Sequence, residues 1–360
     1  MTIWSIPLRG IRGKKPRNHL TDQIDHIMGK KRTYWKKEYI HDTRPIIDGN
    51  ILGKIEIPYH PGMAIVHYEY KGEGFESKLT HKHSFQHMMP HLETIFSEIV
   101  IDDSYWKFPY MPDYPDHNDF EKYQTVVMQS TCLMTALKLI DYNRFFAPFS
   151  LKNSTLNDLE NAEESSVEFI LNHPFQIPMA TFSKGRSKSR ITSKEIEWVG
   201  NAMTTMNKLF FNDDFTTTME AMSYYYGDLP VRAKMMLIWS AIEDLLRPKK
   251  SIRYGVKKRF AMILGKTDEE RKELHDLVDS LYQKRNSATH GRKFAWVHGV
   301  EDIFENNELQ LDLSTLIYSY QLLCDLFYQI VDNGRRYTDD ELIRMDEEYE
   351  EKFPNKRSKS

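Results

Sequence analysis

The chain has only two cysteines in 360 residues, Cys132 and Cys324, far apart and without CxxC spacing. That excludes a disulfide framework and a thiolate zinc site, and predicts two reduced, buried thiols. No apolar run approaches the roughly 20 residues that cross a bilayer. The first 20 residues carry Arg9, Arg12, Lys14, Lys15 and Arg17 with no apolar segment or small-residue cleavage site behind them. A soluble, cytoplasmic protein with no membrane partner is expected. GxxxxGK[ST], G-x-G-x-x-G after a strand, G-x-S-x-G and HExxH are all missing, which removes the ATPase, dinucleotide oxidoreductase, hydrolase-elbow and zincin classes. A net charge of −3 gives the whole molecule no polycation character.

What is present fits an ordinary globular chain: 40% apolar, 28% charged and 12% aromatic residues, with 20 Tyr and 19 Phe. At this length two domains are expected, because a single core stops growing near about 250 to 300 residues. The aromatics favour packed helices or an interface. Charge is uneven. Residues 1–40 hold ten Lys/Arg against three acidic residues, a balance of +7, whereas 339–351 hold eight acidic residues against Arg344 alone. The basic stretch, with Tyr34 and Trp35 among its lysines, is suited to phosphates or is simply a solvated face.

The pattern predicts an α+β N-terminal domain followed by an all-α helical bundle. Residues 46–70 read as strands, with Ile51, Ile55, Ile57, Ile65, Val66 and Tyr68 between the turn signals at 48–50 and 58–62. A short helix near 84–98, an irregular Pro- and aromatic-rich stretch over 106–117 and a helix over 120–140 follow. Residues 183–190 have no apolar side chain and form a basic linker. Four segments result: 1–182, a sensor or substrate-recognition domain; 183–190, the linker; 191–336, the helical domain; 337–360, an acidic helix and frayed tail. Thr192 with Glu195 and Thr338 with Glu341 have capping-box spacing. Helices are predicted over 215–226, 231–246, 253–264, 268–290 and 311–331. The acidic helix has too few apolar residues to belong to a core.

The informative place is the end of the 268–290 helix. Leu274, Leu277, Val278 and Leu281 form one stripe, and Arg285, four residues after Leu281, falls in its centre. A guanidinium aimed at a core requires an opening onto a cleft or an anion. Glu243, one turn after Trp239, is the first choice for that anion. Asn286 and His290 are four apart and share a face beside Arg285, and Gly291 ends the helix there. A fixed cation, an amide and a titratable imidazole suit phosphoryl transfer within RNA, in which the imidazole moves a proton and the guanidinium offsets charge on the phosphate. The other reading is an internal salt bridge with a histidine capping the helix C-terminus.

The run Arg285-Asn286-Ser287-Ala288-Thr289-His290-Gly291 resembles the Arg-(Asn/Asp/His)-x-x-x-His signature of the HEPN domain family, in particular its ApeA-like branch. Leu237-Ile238-Trp239-Ser240-Ala241-Ile242-Glu243-Asp244-Leu245-Leu246, Lys258-Arg259-Phe260-Ala261-Met262-Ile263-Leu264 and Leu281-Tyr282 resemble that branch in order and spacing. The likeness covers about 195–335. It implies a HEPN-like helical bundle that forms a homodimer and a metal-independent endoribonuclease that needs no cofactor and leaves a 2′,3′-cyclic phosphate. It further implies that His290 is the acid/base group, Arg285 the phosphate stabiliser, Asn286 an orienting residue and Glu243 a supporting anion. Action in phage defence or as a toxin would follow, with RNA as substrate, the cleft restrained by the N-terminal domain or a regulatory partner, and a phage-derived trigger as a further partner. The alternative within the resemblance is a non-catalytic nucleotide- or protein-binding module.

His81, His83, His87 and His91 crowd into eleven residues. His83/His87 and His87/His91 have a spacing that places imidazoles on one helix face for a metal, but Pro90 interrupts the helix and no carboxylate or thiolate completes a signature. The Pro-aromatic stretch 106–115 reads as a recognition loop or as cover over its own sheet. Tyr224-Tyr225-Tyr226 and the run Met219, Met222, Met235, Met236 read as core or dimer surface.

Overall fold

The computed structural model describes residues 3–12, 40–41, 53–67, 97–102, 104, 115–140, 145–146, 149–152, 168–171, 192–210, 215–224, 229–248, 252–289 and 307–354. Among these, helices predominate beside an antiparallel sheet. The strands are β1 (Ile3–Arg12), β2 (Ile40–His41), β3 (Gly53–Glu56), β4 (Met63–His67), β5 (Ser97–Asp102), β6 (Phe145–Phe146), β7 (Phe149–Lys152) and β8 (Glu168–Leu171). Their order is β3-β4-β5-β1-β7-β8, with β2 and β6 also pairing with β1. The helices are α1 (Pro115–Ile140), α2 (Ser193–Phe210), α3 (Thr216–Tyr224), α4 (Val231–Leu246), α5 (Ile252–Leu264), α6 (Asp268–Thr289), α7 (Asn307–Asp332) and α8 (Asp339–Lys352).

The turn expected at 58–62 joins β3 to β4, with Tyr59 and Gly62 at positive φ (66° and 85°). Ile57 N–H donates to the Met63 carbonyl across it at 2.9 Å. Two expectations differ. The helix near 84–98 overlaps Ser97 and Glu98, which belong to β5; pairing with β1 and β4 gives Ile99, Val100 and Ile101 a ladder on both sides. The irregular stretch stops earlier than 117, because α1 starts at Pro115. Proline suits a first helical position, where its missing N–H is no loss.

One hydrophobic cluster runs through the described residues. It takes Ile57, Met63, Ile65 and Ile101 from the sheet, Leu133 and Leu137 from α1, Val199 and Met203 from α2, and the buried faces of α4 to α7. The predicted stripe of α6 is buried as expected, with Leu274, Leu277, Val278 and Leu281 all at 6% exposure or less. Both capping boxes form: Glu195 N–H donates to Thr192 Oγ1 at 3.3 Å while Thr192 N–H donates back to the Glu195 carboxylate at 2.7 Å. Thr338 and Glu341 repeat the reciprocal pair. Cys132 and Cys324 are buried free thiols. Burial pushes the Cys132 thiol up to about 12 and raises Cys324 as well.

The acidic helix α8 does join the core, against expectation. Leu342 and Tyr349 are 1% and 5% exposed, and Tyr349 stacks on His275 of α6 with centroids 5.2 Å apart. Two apolar contacts suffice because ion pairs with α5 supply the rest: Arg259 reaches Asp346 at 2.6 Å, and Lys258 pairs with Glu350. Arg259 also donates to the carbonyls of Leu246 and Arg247, satisfying the otherwise orphaned C-terminus of α4. The expected linker at 183–190 and the tail from 355 lie outside the described residues.

Candidate functional site

The candidate site lies where α4 faces the C-terminal half of α6. The C-terminal half of α4 presents Trp239 and, one turn on, Glu243. Trp239 is fully buried, and its indole N–H donates to Ser319 Oγ of α7 at 3.1 Å. Its ring meets Tyr282 of α6 edge-on, with centroids 5.2 Å apart and planes at 85°. Such edge-to-face pairs fix the relative rotation of the two helices. Tyr282 is thereby aimed at Glu243, and its hydroxyl donates to Glu243 Oε1 at 2.9 Å. Burial, followed by that carboxylate, pushes the Tyr282 hydroxyl up to about 12. It stays a neutral donor at any physiological pH.

The same Glu243 oxygen receives the Arg285 guanidinium at 3.2 Å. Arg285 Nη1 also donates to Asn286 Oδ1 at 3.2 Å, and the guanidinium carbon lies 5.3 Å from the centroid of the Tyr282 ring. Three restraints of different kinds thus converge on one cation: an anion, an amide oxygen and a π-face. The site is not sealed, since the Arg285 and Glu243 side chains are 20% and 22% exposed. The arrangement therefore offers a positioned cation at the rim of the core, its Nη2 paired with Glu243 and its Nη1 with Asn286.

Of the sequence-derived site residues, the structure brings Arg285, Glu243 and Asn286 together, with Asn286 turned toward Arg285. His290 and Gly291 lie outside the described residues; the helix that leads to them extends to Thr289. His81, His83, His87 and His91, the 106–115 stretch, and Tyr225 and Tyr226 lie outside them too, as do most of the basic residues of 1–40. Among the described residues, no group of three His, Cys, Asp or Glu is placed to hold a metal. No described helix is long and apolar enough to cross a membrane. Met219, Met222 and Met235 are core, whereas Met236 is 42% exposed.

Sequence reasoning missed a second charged group beside the first. Asp279 of α6 receives Arg253 Nε and Nη2 at 2.8 and 2.6 Å, Lys257 Nζ at 2.9 Å and Gln283 Nε2 at 3.0 Å. Burial alone would raise its carboxyl, but the two cations override that and hold it well below the usual carboxylate range. Arg253 also lies near enough to the Tyr282 hydroxyl to oppose its upward shift, as Arg285 does. The available signal was the i, i+4 spacing of Arg253 and Lys257 on one face of α5. No protein-family model, curated protein or solved structure matches the chain.

Proposed function

We propose that this protein is a metal-independent endoribonuclease of the HEPN type, acting in phage defence or as a toxin. In this reading an α+β N-terminal domain senses a trigger or selects RNA, and a HEPN-like bundle cuts it as a cytoplasmic homodimer. The observation that supports it most is the Arg285 guanidinium, restrained by Glu243, Asn286 and the Tyr282 face yet open to solvent. In the reaction, the RNA 2′-hydroxyl loses its proton to His290 and its oxygen attacks the adjacent phosphorus. The P–O5′ bond breaks, the departing 5′-oxygen takes a proton from the acid form of the partner subunit's equivalent imidazole, and a 2′,3′-cyclic phosphate remains. Arg285 offsets the charge that builds on the non-bridging oxygens, where a preorganised cation accelerates most.

Purified protein is expected to cleave RNA in the presence of EDTA, with Arg285→Ala and His290→Ala each lowering the rate at least about a hundredfold. Both variants should keep the wild-type circular dichroism spectrum and oligomeric mass. Undiminished cleavage in either one removes that residue from the chemistry.

The internal Glu243 partner favours a second reading, a non-catalytic module in which Arg285 grips a phosphate without turning it over. Expression separates the two: a nuclease arrests growth and its His290→Ala variant does not, whereas a binding module gives no such difference.

A further inference from the structure

We propose that Arg253 and Lys257, positioned by Asp279, form a second phosphate grip that holds the RNA backbone next to the Arg285 site. The inference deepens the RNA reading above and rests on it. Three cations, Arg253, Lys257 and Arg285, share two carboxylates, Asp279 and Glu243, through the contacts described. Arg253 and Arg285 both act on the Tyr282 hydroxyl, and Lys257 adds its charge at Asp279. Arg253 spends Nε and Nη2 on Asp279, and its side chain is 42% exposed. The bidentate pair with Asp279 leaves its Nη1 without a hydrogen-bond partner among the described residues. Guanidinium geometry matches phosphate oxygens, and a fork already held in place loses little entropy on binding.

The arrangement also explains why two cations converge on one half-buried carboxylate. An ion pair that served only to join α5 to α6 needs one cation. A second cation raises the local potential, and Asp279 supplies the rigidity. Asp279 is thus a positioning residue, and Arg253 and Lys257 contact the backbone without reading its sequence.

The test uses the full chain and a mixed-sequence 2′-O-methyl oligoribonucleotide of about 12 nucleotides, which binds a single-strand groove but lacks the attacking hydroxyl. Affinity is measured across a salt series. The Arg253→Gln/Lys257→Gln double variant should bind about tenfold more weakly, and its slope against log salt should fall by about 0.7, the value for one phosphate contact on a single strand. Asp279→Asn should bind about threefold more weakly even though it removes a negative charge, because the Arg253 fork and Lys257 are no longer held, and it should melt at a lower temperature. A purely structural network lowers the melting temperature but, with one negative charge fewer, leaves affinity unchanged or raised. Glu348→Gln, an equal change of charge beside Lys352 on α8, should leave affinity unaltered.

If the double variant does not fold, Asp279→Asn against Glu348→Gln decides. Cleavage that depends on Arg285, together with an unchanged salt slope in the double variant or no weakening in Asp279→Asn, overturns the second grip alone. Wild-type protein that neither binds nor cuts RNA overturns the grip and the nuclease reading together.

Discussion

Arg285 could be placed from the sequence because the argument needed only an angle. Four residues after Leu281 is the same face of a helix, and a cation on an apolar face demands an anion. Glu243 followed from the same arithmetic on α4, and the ion pair at 3.2 Å joins the two. Tyr282 and Asp279 were not legible as site residues. The reach of the Tyr282 hydroxyl depends on the rotation that the Trp239 contact imposes on two helices 39 residues apart. Asp279 acquires meaning only once α5 lies beside it. The Tyr282 hydroxyl has a measurable share in the site. Tyr282→Phe keeps the ring on Trp239 and under Arg285 but removes a hydrogen bond to a charged acceptor. Urea unfolding should show a loss of about 1–2 kcal/mol. Glu243→Ala should cost more, about 2–4 kcal/mol, because it strands a half-buried guanidinium as well. If the two losses are equal, Arg285 does not depend on Glu243.

Elements were legible where their pattern is local. The predicted helix 231–246 coincides with α4, the 268–290 helix with α6 to within a residue, and the two capping boxes marked the starts of α2 and α8. β1 was missed because Pro7, Gly10 and its arginines interrupt the alternation of Trp4, Ile6 and Leu8. Its stability comes from partners far along the chain, at 97–102 and 149–152. The placement of α8 was missed for a similar reason, since its acidic residues find their cations on α5. Tyr349→Ala should cost about 3 kcal/mol, as for other truncated core aromatics. The stacked His275 adds a pH dependence. Burial depresses its pKa below the usual 6.5, and the Asp276 hydrogen bond opposes this without cancelling it. The unfolded chain therefore binds more protons between the depressed value and about 6.5, so stability falls as pH falls through that window. Melting scans from pH 7 to pH 5 should show a smaller decline for His275→Gln than for the wild type. Equal declines mean that His275 does not titrate across unfolding.

At the scale of the whole molecule, the sheet and the helices meet at the 58–62 turn and α2. Gly200 lies so close to Pro58 that a Cβ there would sit 2.4 Å from the Pro58 carbonyl oxygen. The His60 Nε2–H donates to the Gly200 carbonyl at 3.1 Å, and Thr204 Oγ1 donates to the same oxygen at 3.1 Å. A backbone approach this tight locks one layer onto the other, and the shared cluster through Ile57, Met63, Val199 and Met203 continues it. Unfolding of the sheet and of the bundle should accordingly be coupled, even though the sequence pattern divides the chain into unlike halves. Gly200→Ala tests this directly. The methyl must displace a turn whose carbonyl cannot yield alone, a cost of about 1–3 kcal/mol, which lowers the melting midpoint by several degrees in a chain of this size. The shift should appear equally in far-ultraviolet circular dichroism, dominated by the helices, and in hydrogen exchange of the β4 and β5 amides. If the helical transition stays in place while the strand amides lose protection, the two layers unfold separately and the contact at Gly200 does not couple them.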